Sequence, residues 1–206
     1  MSIDALFEQL KHPNPHLRDR AMWALAESSD ETLIPRLMAV LDEEDTTYRR
    51  AAVKTLGAVG PATIPPLVEA MLNSDNVTVR GSAVKALAQV AICHPEVPFT
   101  EVGMQGLTQA LNDPNPVVNI AAVMALGQIG SPQAFDILAE ALKTTDNIAL
   151  AVTITNTFGS IKDSRGAAVL QTIIDDESTE DYVRESAVSA LSRLELVMKN
   201  QPRPDS

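Results

Sequence analysis

Aromatic residues are rare in this chain of 206 residues, where one Trp, two Tyr and four Phe make up only 3% of the total. Ala, Leu and Val instead carry the apolar fraction, which is 45%. Small aliphatic side chains suit helices that pack closely against one another. The composition therefore favours an all-α fold over a β-sandwich.

Cysteine and cationic residues are scarce as well. The single cysteine excludes an internal disulfide and a zinc site built from several cysteines. Lys and Arg total 16 against 27 Asp and Glu, which gives a net charge of −11. Nucleic acids and anionic membranes both attract basic surfaces, so we expect neither as a partner.

Long apolar runs are also absent. The sequence has no stretch of about 18 apolar residues, the length that a membrane-spanning helix needs. The first residues, MSIDALFEQL, lack the basic-then-apolar pattern of a signal peptide. We therefore expect a cytoplasmic protein without membrane insertion.

What the chain does contain is a repeated pattern, Arg-x-x-Ala-x-x-x-Leu. Its last position recurs at intervals of 31, 31, 39, 32 and 33 residues, and holds Leu25, Leu56, Leu87, Leu126, Phe158 and Leu191. Self-similarity at such a period is typical of helical repeats that stack on one another. We predict an all-α fold, a right-handed α-solenoid of about six short helical pairs, forming one domain over residues 1–199.

Each repeat has the pattern of a helix, a turn and a second helix. The first helices carry apolar residues at spacings of three and four, as in Leu6, Phe7 and Leu10. The turns are rich in Pro, Asp and Asn, as in 113–116, where Asp or Asn can cap the following helix. Glycine followed by proline, as at Gly60, closes several of the repeats.

One interval, from Leu87 to Leu126, is longer than the others. The extra residues lie at about 91–104, and two interpretations are open. They form either a longer loop between repeats or an extension of the second helix of the third repeat.

At the other end of the chain, residues 200–206 contain two prolines, and we expect a disordered tail there.

Two segments resemble a known family. DPNPVVNIAAVMALG, residues 113–127, resembles a HEAT repeat, and VRGSAVKAL, residues 79–87, resembles the short HEAT-like repeats of cyanobacterial phycobilin lyases of the E/F class. LFEQLKHPNP at 6–15, followed by LRDRAMW at 17–23, strengthens that resemblance. The chain length is similar to that of the smaller subunit of such lyases, the F or Z type.

The resemblance implies a function. Such proteins bind an open-chain tetrapyrrole and assist its attachment, by a thioether, to a cysteine of an apo-phycobiliprotein. The reacting thiol belongs to the substrate protein, so the resemblance implies no catalytic residue here, no tightly bound cofactor, and a phycobilin as a transient substrate. It also implies two partners, a larger HEAT-like lyase subunit and the apo-phycobiliprotein, with this chain acting as subunit or chaperone.

The first position of the pattern is occupied by arginine in four repeats. Arg18, Arg49, Arg80 and Arg184 lie near the start of the second helices. We expect a structural ladder in which each arginine bonds to turn oxygens of neighbouring repeats.

The position two residues before the last Leu varies more than its neighbours, and holds Trp23, Lys54, Lys85, Met124, Asn156 and Ser189. The residues three before and four after it share its helical face, among them Arg20, Ala51, Ala58, Ser82 and Ala121. We predict that this face points away from the core and lines the concave surface. The predicted ligand- or partner-binding residues are Arg20, Trp23, Lys54, Lys85, Met124 and Asn156.

A tetrapyrrole would use this face through its two propionates and its conjugated rings. Lys54 and Lys85 would pair with the carboxylates, and Trp23 or Met124 would pack on the rings. Contact with another protein is the alternative use of the same residues, and an exposed Trp is a common anchor in interfaces.

Other candidates carry weaker patterns. Cys93 and His94 are adjacent, but no third group is evident to orient a catalytic pair. His12 and His16 lack further ligands, so we predict no metal site.

Two further functions fit a helical repeat. One is a non-enzymatic adaptor that binds other proteins, in phycobilisome turnover or with iron–sulfur carriers. The other, a nucleic-acid-binding protein of the DNA-glycosylase type, is disfavoured by the acidic charge.

Overall fold

The computed structural model describes residues 2–199. Within that range the chain forms twelve α-helices, one 3-10 turn at Pro61–Thr63 and no β-strand, so the predicted all-α class is confirmed. None of these helices is long and apolar enough to cross a membrane. The predicted disordered tail, residues 200–206, lies outside the described residues.

The helices form six pairs in chain order. The first members are α1 (Ile3–Leu10), α3 (Leu33–Met38), α5 (Ile64–Asn73), α7 (Glu101–Ala110), α9 (Pro132–Thr144) and α11 (Arg165–Asp175). The second members are α2 (Pro15–Ala26), α4 (Thr46–Val59), α6 (Val77–Cys93), α8 (Pro116–Ile129), α10 (Ile148–Phe158) and α12 (Asp181–Lys199). Every last-Leu position of the pattern lies in a second helix, which confirms the predicted register of repeats.

The turns cap the second helices as the sequence predicted. The side-chain oxygen of Asn14 accepts a hydrogen bond from the amide of His16 at 3.0 Å, and that of Asp45 accepts one from Thr47 at 2.8 Å. These bonds satisfy amides that have no partner inside the helix. Gly60 follows α4 with a φ of 95°, a conformation that strongly favours glycine.

Packing divides the chain, between Ala125 and Leu126 in α8, into two compact units. In the first unit the core consists largely of fully buried leucines, among them Leu10, Leu25, Leu37, Leu56, Leu67, Leu87 and Leu107. In the second, Phe135 and Phe158 pack with ring centroids 4.8 Å apart. The last repeat departs from the pattern, since Leu191 is only half-buried while Leu194 is buried.

The long interval combines both of the predicted alternatives. Helix α6 continues to Cys93, 17 residues in all, and a loop at 94–100 then leads to α7. The ring of His94 fixes the start of that loop, because its Nε2 lies 3.1 Å from the carbonyl oxygen of Ala58 in α4. The extra residues are therefore shared between helix and loop.

Candidate functional site

The variable position of the second helices is the most exposed part of the repeat pattern in the first unit. Trp23 is 50% exposed and Met124 is 64% exposed, although both are large apolar side chains. Lys54 and Lys85 are exposed at the same position of α4 and α6. We call Trp23, Lys54, Lys85 and Met124 the exposed column.

The residues that flank the exposed column differ from the prediction. Ala51, Ala58, Ser82 and Ala121 were expected on the exposed face, and all four are buried. For Ala51, Ala58 and Ser82 the reason is close packing of neighbouring second helices, α2 on α4 and α4 on α6, which encloses these small residues. Arg20 remains exposed. Each helix thus presents a narrow line of residues instead of a broad stripe.

Four exposed cations lie on the second helices of the first unit, and we call them the basic surface. Arg20, Lys54 and Lys85 make no ion pair among the described residues, and neither does Arg50. Such a surface attracts carboxylates.

Arg50 was not among the predicted residues. It lines a cavity of about 310 Å³ between α2 and α4, together with Lys54, Arg18, Asp19 and other residues. The signal that points to Arg50 in the sequence is its spacing of four residues from Lys54, which places both cations on one face of a helix.

The arginines at the first position of the pattern bond mainly within their own repeat. Arg18 donates to the carbonyl oxygens of His12 at 2.6 Å and Pro13 at 2.8 Å, and Arg49 donates to that of Glu43. This differs from the expected bonds to neighbouring repeats. These acceptors lie in the turn that follows each first helix, where carbonyl oxygens have no partner within a helix, and the arginine of the same repeat is near enough to satisfy them.

Arg80 makes both kinds of bond. It donates to the carbonyl oxygens of Ser74 at 3.0 Å and Asp75 at 3.3 Å in its own turn, and to both carboxylate oxygens of Asp113 in the next repeat. The hydrogen bonds to Asp113 raise the pKa of Arg80. In the fourth repeat, Asn119 replaces the arginine and donates to the carbonyl oxygen of Asp113 at 3.2 Å.

Arg184, in the last repeat, donates to the carboxylate of Asp181. Its Nε atom is buried without a hydrogen-bond partner. Arg184 therefore follows neither the pattern of Arg18 and Arg49 nor that of Arg80.

Asn156, at the variable position of α10, is half-buried and already bonded. Its side-chain oxygen accepts a hydrogen bond from Arg193 of α12 at 2.8 Å, and its nitrogen donates to the carbonyl oxygen of Val152 at 3.0 Å. These contacts link α10 to α12 and leave Asn156 less available to a ligand than the exposed column.

The Cys93–His94 pair has no catalytic geometry. Burial raises the pKa of the half-buried Cys93 thiol, which disfavours the reactive thiolate. His94 is directed to Ala58, and the Nδ1 atom of His12 accepts a hydrogen bond from the amide of Asn14. Among residues 2–199, no group of three or more His, Cys, Asp or Glu side chains is arranged to hold a metal ion.

Comparisons with known proteins agree with this repeat architecture. The family model for HEAT repeats matches residues 3–90 and 104–192, and so omits most of the segment with extra residues. An uncharacterized phycocyanin operon protein Z of Pseudanabaena tenuis (strain PCC 7409) is 64% identical, over 96% of this chain and 97% of the relative. The bilin biosynthesis protein CpeZ of Synechococcus sp. (strain WH8020) is 31% identical, over 86% and 97%.

Two solved structures share the fold. The complex of CpcE and CpcF of phycocyanin lyase from Nostoc sp. PCC7120 gives a TM-score of 0.51 at 20% identity, covering 75% of this chain and 96% of that chain. Human deoxyhypusine hydroxylase gives 0.53 at 20% identity, covering 94% and 84%. Because proteins of different activity share this fold, likeness at this identity shows the fold alone. The chain belongs to the HEAT-repeat family and, with its full-length cyanobacterial relatives, to the HEAT-like phycobilin lyase-family proteins.

Proposed function

We propose that this protein is a subunit or chaperone of a phycobilin lyase, and that it assists thioether attachment of an open-chain tetrapyrrole to a cysteine of an apo-phycobiliprotein. The observation that carries the proposal is the 64% identity, over nearly the full length, to protein Z of a phycocyanin operon. The more distant relative CpeZ is named for bilin biosynthesis and supports the same assignment.

The chemistry of the reaction fits a helper without a nucleophile. In thioether formation, the thiol of the acceptor cysteine adds to a carbon–carbon double bond of the tetrapyrrole. The cysteine sulfur bonds to one carbon and a proton is delivered to the other. What remains for a helper is to hold the two reactants in register and to prevent addition in the wrong orientation.

The exposed column and its cationic neighbours are the surface we assign to the tetrapyrrole. Lys54 and Lys85, with Arg20 and Arg50, supply four unpaired cations for two propionates. Trp23 offers a half-exposed aromatic face for the conjugated rings. Asn156 is not part of this assignment, since Arg193 occupies its side-chain oxygen.

A larger HEAT-like subunit and the apo-phycobiliprotein are the partners that this function requires. The phycocyanin lyase of the solved complex contains two different chains, CpcE and CpcF. By analogy with that complex, we assign this chain to a lyase with a second subunit.

Reconstitution tests the proposal directly. A heterologous host would express the enzymes for phycocyanobilin or phycoerythrobilin, one apo-phycobiliprotein and a candidate larger subunit, with or without this protein. We expect a covalent adduct, seen by zinc-induced fluorescence in a denaturing gel, to increase in yield or in spectral homogeneity when this protein is present. If its omission changes neither quantity with any candidate subunit and acceptor, the lyase role is wrong. A stable complex with another protein would then favour the adaptor.

A further inference from the structure

A groove in the second unit has a chemistry opposite to that of the basic surface described above. It has a volume of about 680 Å³ and is lined by residues of α9, α10, α11 and α12 and of the turns before α10 and α12. It includes none of the residues proposed to bind the tetrapyrrole.

The walls of the groove are aliphatic and incompletely covered. Leu142, Val169 and Ile173 are half-buried, and Ile148 is 44% exposed. The small side chain of Ala139 and the exposed Thr172 leave the space between α9 and α11 unfilled. Aliphatic side chains held around a space of this size favour an occupant that removes them from water.

The rim of the groove is acidic. Asp146, Asp176 and Glu180 lie on it, and the one cation, Lys143, has a carboxylate partner in Glu140 at 3.6 Å. Asp176 is held in place by hydrogen bonds from the amide of Ser178 at 2.9 Å and its hydroxyl at 2.6 Å. Three carboxylates therefore face an occupant with no uncompensated cation among them.

This charge selects the class of occupant. A tetrapyrrole would bring its two propionates close to three carboxylates, and like charges repel. A protein segment with aliphatic side chains for the walls and Lys or Arg for the rim satisfies both requirements. Anchoring by an apolar side chain in a groove is a common mode of peptide recognition.

We propose that this groove docks a cationic amphipathic segment of a partner protein. The segment inserts one or two aliphatic side chains between α9 and α11 and places Lys or Arg beside Asp146 and Glu180. This inference does not depend on the lyase role, because it concerns a different surface with a different ligand chemistry.

The test uses the full chain and fluorescently labelled helical peptides. One peptide places Leu at spacings of three and four residues with Lys at the positions between, so that its helix is amphipathic, a second replaces Lys by Glu, and a third replaces Leu by Ser. Fluorescence anisotropy should show saturable binding of the first peptide, with affinities of the other two lower by about tenfold or more. Equal binding of the Leu–Lys and Ser–Lys peptides would reduce the result to general charge attraction and overturn the proposal.

Matched variants locate the binding. Thr172→Trp places a large side chain in the groove, whereas Gln171→Trp adds the same side chain to the adjacent exposed position, which does not line the groove. Only the first should weaken Leu–Lys binding. The double variant Asp146→Lys with Glu180→Lys should also weaken binding of the Leu–Lys peptide. Its control, Asp42→Lys with Glu44→Lys, changes the net charge by the same amount in the first unit and should leave that binding unchanged.

Three results would contradict the groove as the site. The first is equal weakening by the two charge-reversed pairs, and the second is equal affinity of the two tryptophan variants. The third is displacement of the peptide by phycocyanobilin, which would make the groove a tetrapyrrole site. Circular dichroism melting curves of all variants confirm that each is folded, so a loss of binding is not a loss of structure.

Discussion

Arg80 and Asp113 form a forked ion pair between the third and fourth repeats, with hydrogen bonds of 2.8 and 3.2 Å to the two carboxylate oxygens. Their side chains are only 15% and 10% exposed. The same carboxylate accepts a hydrogen bond from the amide of Asn115 at 2.8 Å, which fixes the turn before α8. The pair therefore connects two repeats across the one irregular interval of the chain.

Arg80→Ala should destabilise the first unit. It leaves the carboxylate of Asp113 largely buried without its cation, and removing one partner of such a pair costs about 3 kcal/mol of unfolding free energy. Urea unfolding followed by Trp23 fluorescence measures this, because the single Trp lies in the first unit. Arg20→Ala, at an exposed arginine without an ion pair, is the control and should change stability by less than about 0.5 kcal/mol. Equal effects would show that the pair contributes nothing.

Two glycines of the first unit should respond oppositely to alanine. A Cβ on Gly57 would lie 2.3 Å from the Cβ of Gln89, so α4 and α6 would have to separate. We expect Gly57→Ala to lower the unfolding free energy by about 1–3 kcal/mol, as overpacking does. A Cβ on Gly81 would meet only Val117, at an ordinary 3.6 Å.

Gly81→Ala is therefore the matched partner of that variant. Gly81 lies inside α6, where alanine is favoured over glycine, and we expect stabilisation by about 0.5–1 kcal/mol. The urea midpoint of each variant is the measurement. If both substitutions shift it in the same direction, helix propensity or a general packing effect outweighs the close approach of α4 and α6.

Local signals in the sequence were sufficient for the repeat architecture. Helix pairing, the caps at Asn14 and Asp45 and the glycine at Gly60 follow rules that act over a few residues, and all are present in the structure. The alignment of the six repeats with one another required only the recurrence of one sequence pattern. Tertiary contacts were unnecessary for these predictions because each repeat carries its own signals.

The sequence did not predict equally well which residues of the second helices are exposed. Ala51 and Ser82 share a helical face with Lys54 and Lys85, yet they are buried, because the approach of neighbouring helices decides which side of a helix is covered. Small residues fit either environment, so the sequence does not distinguish them. The ion pair between Arg80 and Asp113 likewise could not be predicted, because it depends on where the fold places a turn 33 residues away along the chain.

Acid should weaken the second unit through Asp163. Hydrogen bonding from Arg165 lowers the pKa of Asp163, and the carboxylate lies 2.7 Å from the guanidinium. A folded pKa below the unfolded value means that the stabilisation is present above about pH 4 and is lost as pH falls through the folded pKa. Asp163→Asn should therefore lower the urea midpoint at neutral pH, with the difference from the natural protein shrinking toward pH 3.

The control for that prediction is Glu185→Gln, which removes a carboxylate of the same unit at an exposed position of α12. Its midpoint should follow that of the natural protein across the same pH range. A difference between Asp163→Asn and the natural protein that stays constant with pH would mean that the loss comes from packing and not from the ionised pair.

The exposed column predicts how a tetrapyrrole should bind. Lys54→Glu with Lys85→Glu replaces two unpaired cations by anions, and we expect the affinity for phycocyanobilin to fall by about tenfold. Trp23→Ala should weaken binding too, because it removes the aromatic face. Quenching of Trp23 fluorescence measures the first effect, and the visible absorbance of the bilin measures both.

Lys162→Glu supplies the matched control, since it reverses an exposed cation of the second unit. Because Lys162→Glu is a single substitution, it is compared with the single variant Lys54→Glu and not with the double variant. The single Lys54 variant should bind more weakly while the Lys162 variant binds as the natural protein does. Equal affinities would remove the exposed column from the binding site, because any remaining attraction would then reflect only the total charge.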